Sequence, residues 1–107
     1  MIEKWSLDSP HNLTARLYLL QAEEASVNGD RKRAYAKYLI AISVPRKEQL
    51  LHEEAIATER AARHMLRLND FASASPLLQR SYHLYLEWGA KGKAEHLKNE
   101  FSRCITD

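Results

Sequence analysis

The feature that most restricts this chain is its self-similarity at an offset of 40 positions, which lays Gly29 onto Asn69. Gly29-Asp30 is followed by Ala34, Tyr38 and Ala41, and Asn69-Asp70 by Ala74, Leu78 and Ser81. Each run is a turn and a helix cap, then a small residue, a large one four positions later and a small one three after that. Ala22 and Ala62 carry the same offset one helix earlier. Small residues at helical spacing let two helices approach closely, and the large residue fills the gap between pairs. A chain patterned this way builds from helical hairpins, each of which buries its apolar face only against a neighbour.

Composition agrees with an all-α fold. Alanine and leucine dominate, and only three Gly and three Pro occur in 107 residues. Both dominant residues cost little in a helix, while the few β-branched residues leave little to build a sheet from. The length is that of a single domain, residues 1–107. Sixteen basic residues face fourteen acidic ones, a net charge of +2, and they are mixed along the chain. That mixture lacks the one-sided basic face of a nucleic-acid binder. No apolar run reaches the length of a membrane span. Met1–Asp8 lacks the apolar stretch of a signal peptide. The single Cys104 rules out an internal disulfide and suits a reducing compartment. These features lead us to expect a cytoplasmic protein with no membrane or nucleic-acid partner.

Punctuation predicts five helices. Residues 1–9 form a loose arm, and Ser9-Pro10 starts the first helix, which ends at Asn28-Gly29. Its stripe is Leu13, Leu17 and Leu20 with Ala22 and Ala25. Asp30 caps a second helix from Arg31 to Ser43, stopped by Pro45 because a residue before proline disfavours helical geometry. A third runs from Lys47 to Leu68. A fourth runs from Phe71 to Trp88, with Pro76 either kinking it or marking a second start. Gly89 ends it, and a fifth spans Lys91 to Ile105 with Ala94, Leu97, Phe101 and Cys104 on its apolar side. The expected architecture is two antiparallel hairpins, 10–44 and 46–88, closed by a capping helix, 90–105. Its core is predicted to contain Ala22, Ala34, Tyr38, Ala41, Ala62, Ala74, Leu78, Tyr85, Trp88, Leu97 and Phe101. Within it, Tyr85 and Trp88 are read as the anchor between the last two helices.

The Gly-Asp turn and the small-large-small second helix resemble the tetratricopeptide pattern. The period departs from the usual length of about 34 residues. A more specific resemblance lies downstream. Glu53-Glu54-Ala55-Ile56-Ala57 and Glu59-Arg60-Ala61-Ala62-Arg63 precede Tyr82-His83-Leu84-Tyr85-Leu86-Glu87-Trp88-Gly89-Ala90-Lys91-Gly92-Lys93. Together they resemble the helical-repeat region of large multi-sensor signal-transduction kinases. Trp5, Ser9-Pro10, Asn12 and Ala22-Glu23 resemble the approach to that region more weakly. Pro76 departs from the family, which has a helix former there, and so does Ser102-Arg103-Cys104, where an aromatic-proline pair is usual. The resemblance implies no catalytic residue and no cofactor, because the family's chemistry lies in other domains. It implies a non-catalytic interaction or spacer module. Its partner would be a protein or peptide, other domains of the same chain, or a second copy.

Candidate chemistry is sparse. His52-Glu53-Glu54 lacks the second histidine of a zinc-protease helix, and no two histidines share ligand spacing on one helix. Glu95-His96-Leu97-Lys98 resembles the exposed histidine segment of phosphotransfer bundles, the alternative reading. Its lysine comes one residue early, and the following glycine is missing. Arg31-Lys32-Arg33 sits just after a cap, against the helix dipole; it is either a solvated face or a contact for an anion. A peptide-binding face, if the hairpins form one, would draw Arg16 and Glu23 from the first helix and Glu59, Arg63 and Arg67 from the third. The last three recur every four residues and share a face, so the two arginines could grip a carboxylate. The competing reading is a ladder of ion pairs within the chain.

Overall fold

Residues 10–105 are described in a computed structural model, with side chains from Ala15 onward. The 1–9 arm, Trp5 and the expected Ser9 cap lie outside them, as do the side chains of Asn12 and Leu13. Five helices follow in order: α1 (Pro10–Val27), α2 (Arg31–Lys47), α3 (Leu51–Arg67), α4 (Phe71–Trp88) and α5 (Lys91–Glu100). No strand occurs among the described residues.

The helices are joined by four turns of one design. The residue after each of the first four helices' C-terminal turns has a positive φ: Gly29 (79°), Gln49 (57°), Asn69 (62°) and Gly89 (95°). The next amide then reaches back to a carbonyl five residues earlier. Asp30 bonds Ala25 at 2.9 Å, Leu50 bonds Pro45 at 2.8 Å, Asp70 bonds Met65 at 2.9 Å and Ala90 bonds Tyr85 at 2.8 Å. This closure satisfies carbonyls that the helix end leaves unpaired. The anchors Ala25, Pro45, Met65 and Tyr85 are all buried. Asp30 and Asp70 also cap the following helix through their side chains, accepting from the amides of Arg33 (3.2 Å) and Ser73 (3.1 Å).

Proline does not stop α2 where expected. Pro45 lies inside its last turn, the helix runs on to Lys47, and α3 begins only at Leu51. The missing N–H costs one bond to Ala41, but the Pro45 carbonyl is used by Leu50, and the turn is made by Gln49 instead. Pro76 likewise sits inside a continuous α4, which excludes the second start. The fifth helix is shorter than expected. It ends at Glu100, and 101–104 are turns that bring Ile105 back into the core.

α1 packs on α2, α3 on both α2 and α4, and α5 on α4, while α1 also touches α3. Two apolar clusters result. One joins Ala22, Ala25, Ala34, Tyr38, Ala41, Ile42, Ala57 and Ala61. The other joins Ala55, Ala62, Leu78, Tyr82, Leu84, Tyr85, Ala94, Leu97 and Ile105. Alanine faces of α3 serve both, which places α3 at the centre. Ala22, Ala34, Tyr38, Ala41, Ala62, Ala74, Leu78, Tyr85 and Leu97 are buried as expected.

Three expectations about packing need correction. Trp88 is 46% exposed, and its ring stacks on His52 with centroids 4.1 Å apart rather than anchoring the core. It is the last residue of α4, on the same stripe as the buried Ser81, Leu84 and Tyr85 but at the helix end, and it belongs to neither apolar cluster. Phe101 is only partly buried, because it follows the end of α5 and packs on the rim of the cluster. Leu17 (54%) and Leu20 (67%) face solvent. The buried side of α1 is Ala15, Ala22 and Ala25, and no described helix covers the leucine side.

Candidate functional site

The arginines and glutamates expected to form a binding face do gather on one side of the molecule, but they bind each other. From α1, Arg16 reaches Glu53 of α3 at 3.5 Å, and Glu23 accepts from Arg60 at 2.6 Å and from the Tyr38 hydroxyl. Arg67 donates to Ser26 Oγ at 3.0 Å. From α3 to α5, Arg63 grips Glu100 with both terminal nitrogens at 2.9 Å and gives Nε to Glu59 at 2.9 Å. Arg63 does hold a carboxylate with both terminal nitrogens, but it is that of Glu100 in the same chain, as in the competing reading of internal ion pairs. Arg63 and Arg67 do not share a ligand. Three of these bridges, Arg16–Glu53, Glu23–Arg60 and Arg63–Glu100, span 37 positions each. Opposite charges at that separation were readable in the sequence, and Glu53, Arg60 and Glu100 were missed there.

Glu59 is the hub of the face. It is buried, and it accepts from Tyr85 Oη at 2.8 Å, Arg63 Nε at 2.9 Å and Lys93 Nζ at 3.4 Å. Burial alone would raise its pKa, but the bonds from Tyr85 and Arg63 and the charge of Lys93 outweigh it and hold the carboxyl below the ordinary value. Burial and the same bond push the Tyr85 hydroxyl well up. The Arg63 guanidinium also covers the Phe101 ring, 5.1 Å from its centroid. One carboxylate thus ties α3 to α4 through Tyr85 and to α5 through Lys93.

Beside Glu59 lies an open hollow of about 380 Å³, walled by His52, Ile56 and Trp88 with Arg60 and Lys93 on its polar side. The stacked His52–Trp88 pair, 7° from parallel, gives it a flat aromatic shelf. Such a hollow can take an apolar side chain flanked by an acidic group. Glu59, on its lining, already takes donors from Tyr85, Arg63 and Lys93 of its own chain.

A second polar cluster lies where α1, α2 and α3 meet. Ser26 Oγ is 2.8 Å from His64 Nδ1, and the His64 ring lies 5.2 Å from that of Tyr38. His64 is 2% exposed, and its Nε2 has no partner in the chain. Burial, then the charges of Arg67 and Arg31, hold its pKa below the ordinary value. Sequence reasoning passed over this histidine because nothing near it in the chain marks it.

The other candidates are dispersed. His96 is exposed and 3.8 Å from Glu100. Cys104 is half-buried against the α4–α5 cluster, in a turn rather than on a helix. Among the described residues, no three His, Cys, Asp or Glu side chains converge as a metal-holding group, and no helix is long and apolar enough to cross a membrane. No protein family, curated protein or solved structure matches the chain.

Proposed function

We propose that this chain is a non-catalytic interaction or spacer module, two tetratricopeptide-like hairpins and a capping helix, that joins proteins or domains in a cytoplasmic signalling assembly. The observation that carries the reading is the bare leucine side of α1. Leu17 and Leu20 are more than half exposed, and Val27 at the end of the same helix is 86% exposed. The opposite side of α1 is packed through alanines against α2 and α3. In a stack of hairpins, each pair covers the apolar side of the next, and a terminal pair without a polar outer face needs a partner. The likeness of 53–97 to the helical-repeat region of multi-sensor kinases supplies the signalling setting. The partner is then another helical segment of the same assembly, or a second copy of this chain.

Sedimentation of the full chain across a range of concentrations tests this. Self-association that Leu17→Lys with Leu20→Lys abolishes, with helix content kept, is the expected result. A chain that stays monomeric, and whose Leu17→Lys and Leu20→Lys forms gain solubility at no loss of any binding, would overturn it. The exposed imidazole of His96 favours a second reading, phosphotransfer through that residue. It requires acid-labile phosphate on the chain that disappears with His96→Gln, and the scaffold reading requires none.

A further inference from the structure

We propose that the notch at the start of α2 binds a phosphate monoester, its phosphoryl group held by Arg31, Lys32 and His64 and its apolar part lying along the trough between α2 and α4. This does not depend on the scaffold reading.

The notch is a hollow of about 320 Å³ where the start of α2, the end of α3 and the start of α4 meet, and its polar lining is Arg31, Lys32, His64, Asp70 and Ser73. His64 supplies the strongest sign of a ligand. Arg67 donates to Ser26 Oγ, which leaves the serine's own proton available to His64 Nδ1 at 2.8 Å. We assign the ring proton to Nε2, the tautomer in which the serine donates to Nδ1. Nε2–H is a buried donor with no acceptor in the chain. Buried polar groups are nearly always paired, so Nε2–H calls for an acceptor from outside the chain, which a phosphoryl oxygen supplies in place of water. The imidazole, held neutral by burial and by Arg67 and Arg31, offers that single N–H near neutral pH.

The rest of the notch suits a doubly charged oxyanion. Arg31 and Lys32 are exposed and form no ion pair with a carboxylate among the described residues. They occupy the first turn of α2, where the helix dipole disfavours cations unless an anion sits there too. The Asp30 carboxylate takes the amide of Arg33, which leaves the amides of Arg31 and Lys32 as the open donors of that turn. Asp70 brings one negative charge to the edge, already engaged in capping α4. Two cations, a ring N–H, two amides and the Ser73 hydroxyl exceed what one carboxylate can accept and match three phosphoryl oxygens. The notch shares Tyr35 and Ser73 with a trough of about 260 Å³ whose other walls include Leu39, Ile42, Pro76 and Leu77. Tyr35 and Leu39 are about half exposed, and an ester's apolar part would cover them.

The test is a titration of the full ¹⁵N-labelled chain with phenyl phosphate, inorganic phosphate and chloride at constant ionic strength. Saturable shifts are expected at the Arg31 and Lys32 amides and at the His64 ring nitrogens, with phenyl phosphate binding severalfold more tightly than inorganic phosphate. Arg31→Glu with Lys32→Glu, both on the surface, should weaken binding by about tenfold or more. Lys47→Glu at the far end of α2 should leave it unchanged. His64→Phe should weaken it too, and the surface pair decides the matter if that variant unfolds. A phosphotyrosine peptide that binds more tightly than phenyl phosphate assigns the ester to a phosphorylated partner, and one that is excluded assigns it to a small molecule; either upholds the site. No saturation, equal shifts with chloride, undiminished binding by the Arg31/Lys32 variant, or a His64 proton found on Nδ1 would overturn it. Equal affinity for the two phosphates would remove the trough from the proposal.

Discussion

If Glu59 is what holds α5 and α4 to α3, its bond to Tyr85 should carry measurable energy. The Tyr85 hydroxyl donates to Glu59 at 2.8 Å, and both residues are buried. A hydrogen bond to a charged acceptor contributes about 1.5–3 kcal/mol when it is not shared with water. The arginine and lysine that also reach Glu59 are partly exposed, with side chains 31% and 40% accessible, so they add less. Glu59→Leu strands the Tyr85 hydroxyl and should cost about 3–5 kcal/mol, the range for breaking a buried pair. Tyr85→Phe leaves Glu59 two donors and should cost about 1–3 kcal/mol. In the double variant neither group is stranded, so the costs should fall short of additive by about 1.5–3 kcal/mol. Urea unfolding followed by circular dichroism measures all four corners of the cycle. The same cycle on the more exposed Arg16–Glu53 bridge should give about 0–1 kcal/mol. Coupling of Glu59 to Tyr85 below about 0.5 kcal/mol would refute the hub, as would a value no larger than that of the Arg16 bridge.

Trp88→Ala should destabilise by only about 1–1.5 kcal/mol, since nearly half of the ring is already wet, whereas Leu84→Ala at a fully buried site should cost about 2–5 kcal/mol; equal losses by thermal unfolding would restore Trp88 to the core. Gln49→Gly should stabilise by about 0.5–1 kcal/mol, because a side chain at φ 57° pays a steric cost that glycine avoids and that exceeds glycine's entropic loss. Stability should fall on acidification in two windows. His64, held neutral in the fold, contributes fully above its ordinary 6.5, and that contribution declines as the unfolded chain takes up protons below this value. Glu59, whose folded pKa is depressed, contributes fully above its ordinary 4.5 and is lost as pH falls through the folded value. His64→Phe should flatten only the first window in urea midpoints against pH.

Much of the fold was legible, and the reasons are local. Gly29, Asn69 and Gly89 are residues that tolerate a left-handed backbone, and Asp30 and Asp70 are strong caps, so three turns announced themselves. The fourth did not, because Gln49 and Leu50 carry no such chemistry, and Pro45 drew attention to the wrong residue. The alanines were easy to assign because close approach needs small residues. The sides of α1 were not, because leucine reads as core whether or not something covers it. The charged face was only half readable. Four-residue spacing put Glu59, Arg63 and Arg67 together, but which carboxylate filled Arg63 depended on where α5 docks. The His64 site was invisible, since Ser26 and Arg31 reach it from the Gly29 turn and Asp70 from the Asn69 turn, far apart in the chain.

The evenly spaced left-handed turns also act as a ruler. The backbone returns to the same posture every 20 residues, at Gly29, Gln49, Asn69 and Gly89. The helices on either side of each turn pack on one another. The side-chain pattern of the sequence recurs at twice that spacing, 40 residues. An insertion or deletion of one residue within a helix would swing everything beyond it by about 100° and expose buried alanines. A 40-residue insert placed at a turn would preserve every face. Lengthening this chain by 40 residues at a turn is therefore expected to leave the existing interfaces intact, where a one-residue change within a helix is not.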